Sequence, residues 1–261
     1  MDINKLKGKL QNLQRQGSGS NLFLKLSEEK QQIRMVPYPH QDGNDPFIEV
    51  YYHYDIAGVR SLICPNMNFG EPCPICDLAE EFRTMGGKEN WRTFTTLQAK
   101  MRTYSPVIVR DASETTVKLW GYGSKIYTEL LETFMDEDYG DLSNPNTGRD
   151  INVWFIPSGS PGNDSDYSQP KMKIKPAQSK LASNKETVIK LLESMPNYLH
   201  EADEFKAMSF DQLKELVRKL SDVEPVDTDT VVYTKTKESN DDDETDDDLN
   251  DKLKGLFEED D

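Results

Sequence analysis

His53, Cys64, Cys73 and Cys76 stand in one stretch, separated by ten, eight and two residues, and these are all the cysteines of the chain. Thiolate sulfur and imidazole nitrogen are the donors that a tetrahedral structural zinc takes. In the closing "CPIC" two residues turn the chain so that both sulfurs meet one ion, and Pro74 narrows the backbone. Four protein ligands leave no position for water, so one such Zn2+ stabilises and does not catalyse. A redox pair at Cys73 and Cys76 would leave Cys64 and His53 unexplained. Buried cysteines acting only as core fillers are the plainer alternative. His40 is a rival fourth ligand in the turn-like "PHQDGND", and His200 stands far off in a helical stretch.

A second constellation follows. Between Trp91 and Tyr127 six bases (Arg92, Lys100, Arg102, Arg110, Lys118, Lys125) face two acids and interleave with Trp91, Phe94, Tyr104, Trp120, Tyr122 and Tyr127. Cations replace counterions on phosphates, and flat rings stack on bases without reading them. In "KMKIK", Lys171, Lys173 and Lys175 alternate with apolar residues, which on a strand puts all three on one face. These residues predict a surface for unpaired nucleic acid. The competing reading is that the rings are core and the bases a solvated face.

Short elements must position both sites. "NLFLKLS", "QQIRMVPY" and "PFIEVYYHY" read as strands split by Pro, Gly and Asn. "CDLAEEFRTMG" predicts a short helix with Leu78, Ala79 and Phe82 on one face. "TFTTLQAKMRTYSPVIVRD" and "TVKLWGYG" read as strands joined by a turn at "DASE". "SKIYTELLETFMDED" reads as a helix with Ser124 as N-cap, and "RDINVWFIPSG" with "QPKMKIKPA" as a hairpin. Two more helices follow, with capping boxes at Ser183–Glu186 and Ser209–Gln212. Many short strands with a few helices place the fold in the mostly-β or α+β class, as a small Greek-key barrel with added helices.

The charge divides the chain. Residues 221–261 hold 17 Asp+Glu against 4 Lys+Arg, while the residues before them are nearly balanced. The whole-chain net charge of -16 therefore says little about what the body binds. The tail is disordered by composition, except that Leu249, Leu253, Leu256 and Phe257 could line one helix face on binding a partner. At the other end, Lys5, Lys7, Lys9 and Arg15 accompany Ile3, Leu6, Leu10 and Leu13 at helical spacing, before a "GSGS" linker. No signal-peptide core and no membrane span is evident, which predicts a soluble intracellular protein. Three domains are expected: a basic arm 1–20, a core 21–220 and an acidic tail 221–261.

In this order, the chain resembles the single-stranded DNA-binding (helix-destabilising) proteins of T-even-type bacteriophages. The His-Cys-Cys-x2-Cys cluster carries the resemblance first. "KMRTYSPVIVRD" resembles the family's DNA-contacting strand, and "KLWGYGSKIY" the strand and helix start after it. The resemblance implies an OB-fold core with one structural Zn2+ on His53, Cys64, Cys73 and Cys76. It implies DNA contacts at Lys100, Arg102, Tyr104, Trp120, Tyr122, Lys125 and Tyr127; Arg110 and Lys118 follow from their place in the basic–aromatic segment, and Lys171, Lys173 and Lys175 rest on their chemistry more than on the resemblance. It implies no enzymatic activity, and cooperative, sequence-nonspecific coating of single-stranded DNA during phage replication, recombination and repair in the cytoplasm of the infected host. The arm would mediate self-association, and the tail would recruit polymerase, helicase loader and recombinase. The arm departs from the family pattern, because its bases are spaced and no compact basic run precedes Ser or Thr. A zinc-stabilised RNA-binding or transcription-accessory protein is the main alternative. A nuclease using the acids of "DEDYGD" is the remote one.

Overall fold

The computed structural model describes residues 22–110 and 116–221. The arm, the "DASE" turn and the tail beyond Ser221 lie outside the described residues. Among the described residues seven strands form one sheet: β1 (Gln31–Met35), β2 (Ile48–Ile56), β3 (Val59–Ile63), β4 (Lys100–Val109), β5 (Val117–Tyr122), β6 (Arg149–Ile156) and β7 (Gln169–Gln178). Their order is β3-β2-β4-β1-β6-β7, with β5 also on β4. Along one edge β4 pairs first with β2, Val50 opposite Arg102, and then antiparallel with β1, Met35 opposite Val107. Along its other edge it pairs with β5, Ser105 opposite Trp120.

Successive strand side chains point to opposite faces. Here that sends Tyr104, Ile108 and Leu119 into one apolar cluster and Val107, Trp120 and Tyr122 into another. Helix cover explains why neither face is left wet. α4 (Ser124–Met135) brings Ile126 and Leu130 to the second cluster. α5 (Lys185–Glu193), α6 (Tyr198–Glu201) and the turn Asp203–Phe205 bring Leu191, Tyr198 and Phe205 to the first. After α1 (Pro65–Phe69), whose Phe69 packs on the first cluster, a third cluster gathers around the cysteines from α2 (Pro74–Met85), α3 (Lys88–Leu97) and α7 (Phe210–Ser221), including Ile75, Ala79, Leu97 and Leu213. The outcome is the expected α+β class: an antiparallel sheet with added helices and a Cys/His cluster.

Several local expectations change. "TFTTL" is helical, closing α3, because Phe94 and Leu97 recur one turn apart and pack into the third cluster. That helical period outweighs the strand preference of threonine. "NLFLKLS" contributes only a parallel bridge from Phe23 to Leu119. Ser124 starts α4 without capping it, and Gly123 stands at the N-cap. Asn184, not Ser183, caps α5: its Oδ1 accepts from the Thr187 N–H at 2.8 Å. The Ser209–Gln212 box forms as expected, with the Ser209 N–H donating to Gln212 Oε1 at 3.0 Å. Residues 157–169 belong to a second compact unit, a loop in which Asn163 Nδ2 donates to the oxygens of Pro157 and Tyr167.

Candidate metal centre and nucleic-acid interface

The β2–β3 hairpin sets His53 opposite Leu62, and Cys64 follows β3 directly. Cys64 is the N-cap of α1, its Sγ accepting from the Met67 N–H at 3.4 Å. Gly70, at φ 69°, ends that helix in the left-handed region that glycine enters without strain. The chain then reaches Cys73, the N-cap of α2, with Pro74 at its first position and Cys76 in its first turn. Helix N-termini favour thiolate over thiol.

The four donor atoms lie within 4.8 Å of one another. Cys64 Sγ is 3.4 Å from Cys76 Sγ, and His53 Nε2 is 3.4 Å from Cys73 Sγ and 3.6 Å from Cys76 Sγ. A tetrahedral ion with sulfur at about 2.3 Å and nitrogen at about 2.0 Å needs separations of roughly 3.5–3.8 Å, so the quartet fits one. The sulfurs are too far apart for a disulfide. His53 Nδ1 lies 2.7 Å from the Leu97 main-chain oxygen, which can only accept. Nδ1 therefore carries the proton, and Nε2 faces the sulfurs. Burial pulls the imidazole down, but Cys64 and Cys73 outweigh it and hold it up at about 9. Hydrogen bonds from Cys64 and Cys76 push the Cys73 thiol down, while Cys64 and Cys73 push Cys76 up. Such a packed quartet balances its charge when a cation sits at its centre. His40 and His200 are spent elsewhere, on the Met195 oxygen at 2.7 Å and against the Phe69 ring.

The basic strand face divides along its length. Lys100, Arg102 and Tyr104 share one face of β4; the first two are exposed and Tyr104 is buried. Arg102 lies 5.9 Å from the Tyr104 ring centroid and donates to the Gly121 oxygen at 3.3 Å. Gly121 permits this arrangement, since a Cβ there would meet Tyr104 Cε1 at 2.7 Å. Tyr104 OH and Tyr52 OH share a hydrogen bond of 2.9 Å, and the Tyr54 ring stands 5.9 Å from Tyr52. Tyr54 is half-buried; burial raises its pKa, and the charge of Arg102 opposes the rise. Sequence reasoning missed Tyr54. The signal was its place two residues from Tyr52 in "YYHY".

The core claims other expected contacts, which corrects the stacking assignment. Trp120 and Tyr122 are 1 % and 2 % exposed, pack ring on ring at 4.5 Å, and lie under α4. Tyr122 OH shares a 2.6 Å hydrogen bond with Ser105 Oγ. Tyr127 packs on Phe47 and donates to Glu49 Oε1 at 2.7 Å, fixing α4 to β2. Arg110 pairs with Asp150 at 2.7 Å and donates to the oxygens of Lys180 and Leu181. Buried Arg34 reaches the oxygens of Leu142 and Asn144 beside it, and burial pulls its pKa down to about 10 while Asp150 resists. Arg110 thus holds sheet and loop together. Lys175 donates to Gln32 Oε1 at 2.5 Å. Lys118 and Lys171 are half-buried, whereas Lys125 and Lys173 are exposed. The arm bases and the tail apolar residues lie outside the described residues.

Fold and site together define an α+β domain with a Cys/His metal-type cluster and a basic, tyrosine-lined strand edge. The family model described as gp32 DNA binding protein like matches residues 28–223. The chain belongs to that family, which is one of DNA-binding proteins and not of enzymes. No curated protein matches the chain. None of the described helices is long and apolar enough to cross a membrane.

Proposed function

We propose that this protein coats single-stranded DNA cooperatively and without sequence preference, during replication, recombination and repair of phage DNA in the host cytoplasm. The observation that carries the reading is the exposed Lys100–Arg102 pair on β4, beside Tyr54 and Tyr104, in a chain of this family. Phosphates lie along Lys100 and Arg102, with Lys118, Lys125, Lys171 and Lys173 extending the path. Bases stack on Tyr54, each contact contributing roughly 1–3 kcal/mol whatever the base. Zn2+ held by His53, Cys64, Cys73 and Cys76 supplies no chemistry to DNA and fixes the β2–β3 hairpin against α2 and α3.

Residues 1–20, with Lys5, Lys7, Lys9 and Arg15, join neighbouring protomers along the strand. Residues 21–220 bind DNA. The acidic tail competes with DNA for the basic edge at high effective concentration. Once displaced, its Leu249, Leu253, Leu256 and Phe257 recruit polymerase, helicase loader or recombinase. A chain ending at Leu220 should bind single strands more tightly than the full chain, most of all at low salt. Equal affinity of the two across a salt series would remove the competition.

A further inference from the structure

Trp154 stands on β6, away from the Lys100–Arg102 pair. Ile151 and Val153 turn into the second cluster, so alternation puts Trp154 on the opposite face of the sheet. Its ring is half-buried and belongs to none of the apolar clusters among the described residues. On β7, next to β6, Met172 and Ile174 enter the second cluster, and Lys171, Lys173 and Lys175 therefore share the face of Trp154. Lys175 agrees with this placement by reaching Gln32, which β1 sets opposite Asn152. Lys30, just before β1, completes the group: its Nζ stands 5.0 Å from the Trp154 ring centroid.

A large flat ring among ammonium groups suits a nucleotide. The ring stacks on any base, and the lysines replace counterions on its phosphates. Among the described residues no carboxylate pairs with Lys30, Lys171 or Lys173, and Asp150 on the same face is taken by Arg110. Exposed Glu28 and Glu29 precede Lys30 and offset part of the charge, so the ring carries more of the site than the lysines do. The spacing also fits. Arg102 shares this face of the sheet, since Val107 on β4 turns to the other. Val109 and Ile151 both lie opposite Ile33, and β4 and β6 both run antiparallel to β1. Trp154 is therefore ten positions further along the sheet than Arg102, or about 30 Å. A bound stretch of roughly 4–16 nucleotides reaches both.

We propose that Trp154 is a second stacking station for the single strand, with Lys30, Lys171 and Lys173 holding the phosphates around the stacked base. In the free protein Lys30 occupies the ring; an entering base takes that place, and the ammonium moves to a phosphate. The station rests on the single-strand reading, and the test separates the two. The full chain is titrated with a labelled thymidine oligonucleotide of about 16 nucleotides over a salt series. Trp154→Leu keeps apolar bulk and removes the flat ring, so it should bind about tenfold more weakly with an unchanged salt slope. Trp154→Phe should stay within about threefold of the unsubstituted protein, and Lys173→Ala should lower the slope by about 1. Fluorine NMR of the otherwise unsubstituted chain carrying fluorotryptophan, assigned through Trp154→Phe, should show the Trp154 signal moving on saturation while that of core Trp120 stays. Equal affinity of the Leu and Phe variants, or a Trp154 signal that stays put while the oligonucleotide binds, would overturn the station and leave the Lys100–Arg102 site standing. No binding by the unsubstituted chain would overturn both.

Discussion

His53 Nδ1 donates to the main-chain oxygen of Leu97 at 2.7 Å, and this one hydrogen bond joins the end of α3 to the cysteine cluster. The residues after Leu97 enter β4 within three positions, at Lys100. The cluster therefore controls where the basic edge begins, although none of its atoms needs to touch DNA.

Removing the metal should act on stability first and on DNA second. Chelation, or Cys73→Ser, is expected to cost about 3 kcal/mol or more, which for a domain of this size is roughly 6–12 °C in Tm. DNA affinity should fall with it as the start of β4 loosens. Calorimetry with and without chelator checks this. An unchanged Tm would mean that the quartet holds nothing.

Asp150 makes the fold acid-sensitive. Burial works against its carboxylate, but Arg110, Ser179 and Gln32 outweigh burial and hold its pKa below the ordinary value. Its stabilising contribution is thus fully present above about pH 4, where an unfolded Asp is ionised, and is lost as pH falls through the lower folded value. Asp150→Asn leaves Arg34 and Arg110 without their carboxylate and should cost about 3 kcal/mol at pH 7. Denaturant melts at several pH values should show the gap to the unsubstituted protein closing below about pH 4. A gap of constant size would contradict the assignment.

Gly121→Ala tests the packing under the basic edge. The new methyl would meet the Tyr104 ring at 2.7 Å, and relief requires moving either the ring or Arg102. A loss of about 1–3 kcal/mol is expected, with weaker DNA binding that Ala at exposed Gly123 does not reproduce.

Lys100→Ala and Arg102→Ala should each weaken binding to all single-stranded sequences alike and lower the salt slope by about 1. Arg110→Ala should instead lower Tm, with a salt slope like that of the unsubstituted protein, because its guanidinium is already paired with Asp150. Titrations at several salt concentrations distinguish the two classes.

The closeness of the Cys/His quartet was legible because its donors are chemically specific and lie in one stretch, with His53 brought in by a hairpin. The roles of Trp120 and Tyr122 were not. Alternation gives the face of each residue but cannot say that α4 returns to cover the second face of β5. Arg110 looked like a phosphate contact because its partner Asp150 lies 40 residues on. Ser183 and Asn184 both suit an N-cap, and it is the Asn184 side chain that accepts from the Thr187 N–H.

The central claim is preference for unpaired DNA. Anisotropy titrations of the full chain against a labelled single strand, its duplex and the matching RNA, over a salt series and with or without chelator, test it most directly. Binding should be tightest to single-stranded DNA, fall linearly on a log–log salt plot, and weaken with chelator. Binding to duplex or RNA as tight as to single-stranded DNA, or none to single strands, would contradict it.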